Sequence, residues 1–200
     1  MKAYSAAADE GEEGVNRVLD RETAVLVVVD VQERLVPAID KDLYTRSLGN
    51  FKIVIEAAGT LGLPIVLTEQ YPKGLGRTVP DVLRALEGKA YERIEKVSFS
   101  CARDETFLDL IAKTGRRQVV LIGMETHVCV YQTSVDLLNA GYEVFVLDDA
   151  VSSRFPHNYQ SGIRALRDAG AVVVSTETAV FQLMKVAGTP EFKKISSLIR

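Results

Sequence analysis

The chain has no excess of positive charge: 24 lysines and arginines face 27 aspartates and glutamates, leaving a formal net charge of −3. The two signs are mixed without a basic stripe, so the electrostatic footprint of a nucleic-acid binder is missing and no nucleic-acid partner is expected. Nor is there an apolar run near the roughly 20 residues that span a bilayer. Stretches such as Ala24–Val29 are far shorter, and no membrane partner is expected. The opening MKAYSAAADEGEEG is acidic where a secretory signal carries basic residues and then an apolar stretch, which points to a cytoplasmic protein. Cysteine is scarce. Cys101 and Cys129 are the only two, and in a cytosolic setting both are expected as free thiols.

Missing motifs narrow the chemistry further. Gly74-Leu-Gly76 lacks the Lys-Ser/Thr of a phosphate loop, and no strand leads into a Gly-x-Gly-x-x-Gly, so no nucleotide cofactor is expected. A Gly-x-Ser-x-Gly elbow is absent, against a serine hydrolase, and so is a Cys-x-x-Cys pair, against dithiol exchange.

What is present is a substantial apolar fraction, 47% over 200 residues, enough for the core of one domain. Residues 1–20 are small, polar and acidic and read as a mobile or loosely attached arm; a single domain is expected over 21–200. Strands are predicted at Ala24–Asp30, Pro64–Thr68, Tyr91–Lys96, Gln118–Gly123, Glu143–Leu147 and Ala171–Val174. Their β-branched runs suit strands buried on both faces of a parallel sheet. Helical periodicity lies between them, at Leu43–Leu61, Pro80–Leu86, Glu105–Lys113, His127–Ala140, Asn158–Ala169 and Glu177–Met184. Gly62, Gly115, Gly141 and Gly170 each stand just past a helical run, where a left-handed cap is needed. The alternation predicts a three-layer αβα sandwich around a six-stranded, mostly parallel sheet. The tail from Pro190 reads as a final amphipathic helix, suited to packing on a neighbouring subunit.

In such a sheet ligands bind beyond the carboxyl ends of the strands. Three reactive residues fall there: Asp30 closes the first strand, Lys96 closes the weak third one, and Cys129 lies in the first turn after the strongest. Each has a bland reading alone, Asp30 as a cap, Lys96 as a solvated charge, Cys129 as packing. Context favours Cys129 as a nucleophile. Thr126 has the chemistry of an N-cap, which would set Cys129 near the third position of the following helix, where free amides and the dipole favour a thiolate. A neighbouring ammonium would lower its pKa further, and a carboxylate would take its proton. Amides around Cys129 would then form an oxyanion hole.

Val-Val-Val-Asp30-Val-Gln32, Lys96-Val-Ser-Phe-Ser100 and Leu-Ile-Gly123-Met-Glu-Thr126-His-Val-Cys129-Val resemble the three signature segments of the isochorismatase-like cysteine hydrolases. The resemblance runs over about residues 23–185, through Tyr131–Leu138 and Gly141–Arg154. It is strongest to the isochorismatase domain-containing branch, whose second loop is similar to Thr68–Gly76. It implies a Cys129-Asp30-Lys96 triad hydrolysing a small amide, carbamoyl or related carbonyl substrate through a covalent acyl-enzyme. It further implies a cis peptide between Met124 and Glu125 that helps aim oxyanion amides, with Val128 and Cys129 in that group, and a homo-oligomer. The metal-dependent nicotinamidase branch carries an Asp and two His near the second loop. This chain has only His127 and His157, so no metal is expected.

Gln32, Tyr71, Phe99 and Thr126 flank these positions and are the candidate substrate-binding residues; ordinary packing is an equal reading for Tyr71 and Phe99. His127 reads as a helix-start residue contacting backbone, and Cys101 as inert packing. Two other functions stay open: a thiol redox protein using Cys129, and a catalytically silent oligomeric interaction protein.

Overall fold

The computed structural model describes residues 18–199. Its strands are Ala24–Val29 (β1), Ile65–Gln70 (β2), Glu92–Lys96 (β3), Gln118–Met124 (β4), Glu143–Ser152 (β5) and Val172–Val174 (β6). They form one six-stranded sheet in the order β3-β2-β1-β4-β5-β6, with all five neighbouring pairs parallel. The helices are Lys41–Leu61 (α1), Pro72–Leu75 (α2), Pro80–Leu86 (α3), Glu105–Lys113 (α4), Tyr131–Asn139 (α5), Pro156–Asp168 (α6), Thr176–Met184 (α7) and Pro190–Ser196 (α8).

Period-2 alternation along β1 builds the three layers. Leu26 and Val28 pack with Phe51 and Ile55 of α1, Val82 of α3 and Leu183 of α7. Val25, Val27 and Val29 point the other way, onto Phe107 and Ile111 of α4, Leu137 of α5 and Leu166 of α6. Every β1 side chain is buried, which is why its sequence is apolar without alternation. This is the expected αβα sandwich.

Local chemistry moved several boundaries. Asp40 caps α1 by accepting from the Asp42 and Leu43 amides, so that helix begins at Lys41 rather than Leu43. Pro156 occupies the first turn of α6, a position that needs no N–H donor, and starts it two residues before Asn158. β5 runs beyond Leu147 through two aspartates because its polar groups find partners on α1 and α7. Arg46 and Asn50 donate to the Asp148 and Asp149 carbonyls, and Thr176 donates its amide and hydroxyl to Asp149 Oδ1.

Both ends of the described residues are tied to the domain. Residues 1–17 of the predicted arm lie outside the described residues, but Leu19 is fully buried in the core and its amide donates to Gln182 Oε1. Leu19 thus joins this end of the described residues to the core. The last helix packs on its own chain, with Ile195 of α8 buried against Ala57 of α1 and Val180 and Met184 of α7.

The segment after β2, which includes Tyr71 and α2, is clamped from beneath. Buried Glu69 accepts from the Thr78 amide and hydroxyl, both at 2.8 Å, and from Arg77 at 2.9 Å. Burial alone would raise the Glu69 pKa, but the Thr78 and Arg77 hydrogen bonds outweigh it and hold the carboxyl below its ordinary 4.5. A depressed folded value stabilises the fold above that pH, and the contribution is lost as pH falls through the folded value. Glu69→Gln is expected to cost about 1–3 kcal/mol at pH 7. The gap to wild type should narrow in urea unfolding at progressively lower pH; a constant gap would show that Glu69 is not held ionised by these bonds.

Candidate active site

The sheet order reverses between β1 and β4: the chain moves outward through β2 and β3, then returns to β4 and outward to β6. Such a switch point opens a crevice at the carboxyl ends of the two central strands. Register sets what lines it. Val29 lies opposite both Thr68 and Gly123, and Gln70 opposite Lys96, so Asp30, Lys96 and the turn after β4 emerge at the same edge.

Gly123 lets β1 and β4 approach this closely. Its φ is 119°, and a Cβ there would stand 2.1 Å from the Val29 carbonyl oxygen. Asp30 follows with φ 52°, a left-handed conformation that Asp tolerates better than most residues and that persists where surroundings impose it. Those surroundings are polar. Oδ1 accepts from Thr68 Oγ1 at 2.7 Å and Oδ2 from Lys96 Nζ at 2.7 Å, all of it buried.

Lys96 Nζ has four acceptors for three protons: Asp30 Oδ2, Gln70 Oε1 at 2.9 Å, and the Phe99 and Ser98 carbonyls at 3.1 and 3.2 Å. Burial on its own lowers the lysine's pKa, but the facing Cys101, Asp30 and Cys129 more than offset this and raise it, so the ammonium stays charged. With its protons all engaged, Lys96 is a fixed counter-charge.

Cys129 is buried, and its thiol faces the Asp30 carboxylate and the Lys96 ammonium closely enough for both to act on its pKa. The three residues proposed from sequence therefore meet in one place. One electrostatic expectation is corrected, however: the thiol pKa is raised, first by burial and then by the Asp30 carboxylate, with Lys96 opposing more weakly. At rest Cys129 is a thiol beside a carboxylate, not a standing thiolate. Cys101 is likewise buried and free, pushed up to about 11 chiefly by burial.

The Met124–Glu125 peptide is cis. The turn after it, Thr126–Val130, is a π-turn in which Val130 donates to the Glu125 carbonyl at 3.2 Å, and α5 starts only at Tyr131. Thr126 sits inside that turn, so it is not the expected N-cap; its hydroxyl is buried and, among the described residues, has no partner. The Val128 amide is committed to the Glu125 carbonyl at 3.0 Å, which removes one of the two expected oxyanion donors. Glu125 itself anchors Arg154 through that residue's amide and Nε.

The flanking candidates divide. Gln32 is tied to the β2 loop through its whole amide: Nε2 donates to the Gln70 and Gly76 carbonyls and Oε1 accepts from the Gln70 amide. It shapes the wall and has little left for a ligand. Tyr71 and Phe99 are both more than half exposed at the rim, Tyr71 beside a cleft of about 290 Å³ that it shares with Lys96 and Val97. His127 Nδ1 meets Ser153 Oγ at 3.1 Å, a side chain and not the expected backbone. Sequence reasoning missed Thr68 and Gln70. Their signal was the polar run Thr68-Glu69-Gln70 that closes a strand apolar only over Ile65–Leu67.

The Isochorismatase domain model matches residues 24–178. The secreted isochorismatase effector Isc1 of Phytophthora sojae is 41% identical over 180 residues, 89% of this chain and 85% of that protein. Isochorismatase domain-containing protein 2 of Danio rerio is 36% identical, covering 93% of this chain and 91% of its own. Among solved structures, that of MAR1 ribonuclease from Caenorhabditis elegans superposes with a TM-score of 0.84 at 34% identity, over 91% of this chain and 92% of that one. The match spans both halves of the sheet and the loops that carry Asp30, Lys96 and Cys129, and on it the chain belongs to the isochorismatase family, whose domain is of hydrolase type.

Proposed function

We propose that the protein is a cysteine hydrolase that cleaves a C–N bond in a small amide, carbamoyl or related carbonyl compound. The observation that carries this reading is the buried Asp30 carboxylate, paired to Lys96 at 2.7 Å and faced by the buried Cys129 thiol. A thiol kept protonated beside a carboxylate is arranged for proton transfer during attack. Cys129 Sγ adds to the carbonyl carbon as its proton passes to Asp30, and the carbonyl oxygen takes the negative charge. The C–N bond then breaks as Asp30 returns the proton to the departing nitrogen. Water attacks the thioester while Asp30 accepts its proton; the C–S bond breaks and the sulfur regains the proton from Asp30.

Lys96 keeps one positive charge in the pocket throughout. Thr126, with its unpartnered buried hydroxyl, is the best-supported substrate ligand, and Tyr71 and Phe99 border the mouth. Cys129 and the turn that bears it supply the oxyanion donors in this reading, with the Val128 amide excluded. The raised thiol pKa values argue against the redox alternative, since oxidation follows thiolate character. A ribonuclease reading rests on a neighbour's name alone, and a net charge of −3 gives no attraction for a phosphodiester backbone. Self-association and a cytoplasmic location are part of the proposal. No helix among the described residues is long and apolar enough to cross a membrane.

The test is a panel of primary amides, ureido acids and carbamates, with an RNA substrate as control, followed by ammonia release and peptide mass spectrometry. Turnover should be accompanied by an acyl mass increment on the Cys129 peptide. Hydrolysis with no adduct under rapid quench, or RNA cleavage that survives Cys129→Ser, would overturn the reading.

A further inference from the structure

Every hydrogen bond to the buried Asp30 carboxylate comes from a residue already given a part in the chemistry, save one. Oδ1 accepts from Thr68 Oγ1 at 2.7 Å, a well-formed hydroxyl–carboxylate hydrogen bond. Thr68 is fully buried and comes from β2, whose alternation also turns Gln70 to the same side, onto Lys96. The hydroxyl has one proton, and that proton goes to Asp30. One of its lone pairs faces Cys101, whose Sγ lies 3.7 Å from Thr68 Oγ1, so the thiol donates into Thr68 and leaves its proton a single direction. The Cys101 amide is in turn fixed by Thr133 Oγ1 at 2.9 Å. A chain of donors therefore runs from Cys101 through Thr68 to one oxygen of the carboxylate, while Lys96 holds the other.

We propose that Thr68 is a positioning residue for Asp30: with its hydroxyl oriented by Cys101, it locks the carboxylate plane and favours the ionised form that must receive the Cys129 proton. The inference rests on the reading of Asp30 as the proton acceptor for Cys129. Rotation of the carboxylate about its own axis would cost the pocket both the Thr68 and Lys96 bonds, so the accepting oxygen stays aimed through each proton transfer. Removal of the hydroxyl deprives the charged form of a donor and leaves the protonated form less affected.

The experiment needs no substrate. Carboxamidomethylation of Cys129 by iodoacetamide is followed against pH by peptide mass spectrometry, with the Cys101 peptide quantified separately, in wild type, Asp30→Asn, Thr68→Val and Thr68→Ser. In wild type the Cys129 rate falls on the acid side as the proton acceptor is lost. Thr68→Val should move that acid limb upward by about one pH unit, so that at a pH well down the limb alkylation slows by roughly tenfold, with Thr68→Ser restoring both. A purely structural Thr68 would change thermal stability and leave the limb in place, and that result overturns the proposal. Should Thr68→Val not fold, Thr68→Ala carries the same comparison, and a limb matching that of Thr68→Ser is the contrary result. If Asp30→Asn alkylates at the wild-type rate, the proton-acceptor reading of Asp30 fails first and the proposal goes with it; a slow Asp30→Asn beside an unshifted Thr68→Val sinks Thr68 alone.

Discussion

Lys96→Met is expected to destabilise the fold by about 3–5 kcal/mol in urea unfolding at pH 7, because it strands a buried carboxylate without its counter-charge. Asp30 and Lys96 are both fully buried, so no solvent screens the loss. The Ser98 and Phe99 carbonyls and Gln70 Oε1 would lose a donor in the same step. The double variant Asp30→Asn/Lys96→Met should recover most of the loss. It removes both charges, and asparagine tolerates the left-handed backbone at position 30. The pair would then contribute little net stability while either half alone is costly, as is usual for ion pairs in a core. A single Lys96→Met variant within about 1 kcal/mol of wild type would mean that the pocket neutralises Asp30 by other means, and the fixed counter-charge would lose its role.

Cys129→Ala and Asp30→Asn should each reduce kcat/KM by a factor of at least about 10³ on any compound the enzyme turns over. Nucleophile and proton acceptor act as one unit, so the double variant should be no slower than Cys129→Ala alone. Cys129→Ala removes little apolar burial and its circular dichroism should stay native, whereas Asp30→Asn strands the Lys96 ammonium and should also lower stability, so its activity is compared below its unfolding transition. Cys129→Ser is expected to fall nearly as far as Cys129→Ala, because a hydroxyl holds its proton too tightly for a carboxylate acceptor. Asp30→Asn keeping a tenth or more of wild-type activity would exclude Asp30 as the acceptor and direct attention to His127, whose ring meets Ser153. His127 is held neutral chiefly by burial, which lowers its pKa.

Much of the candidate site was legible before the fold was known. Asp30, Lys96 and Cys129 could be found because each ends or follows an apolar run in a βα pattern, and chemistry in parallel sheets gathers at those ends. Thr68 and Gln70 lay in the same pattern but carry no reactive group, so nothing in their identity marked them. Gln32 was singled out for its place beside Asp30; its actual role depends on where the Gly76 carbonyl falls after a loop closes over it. Thr126 has the residue type of a cap, but a π-turn puts it one place inside the helix, a choice made by packing around the strand end and not by the residue itself.

The layer architecture, all six strands and the longer helices could be read from the chain alone, because periodicity and punctuation are local properties; α2 and the turn after β4 could not. Which strands are neighbours, that β1 and β4 meet where the order reverses, and that the Cys129 thiol rests protonated all depend on the assembled fold. The physical reason is the range of the forces. Helix and strand preference acts over a few residues, whereas desolvation and charge pairing depend on which distant segments exclude water from the same few ångströms.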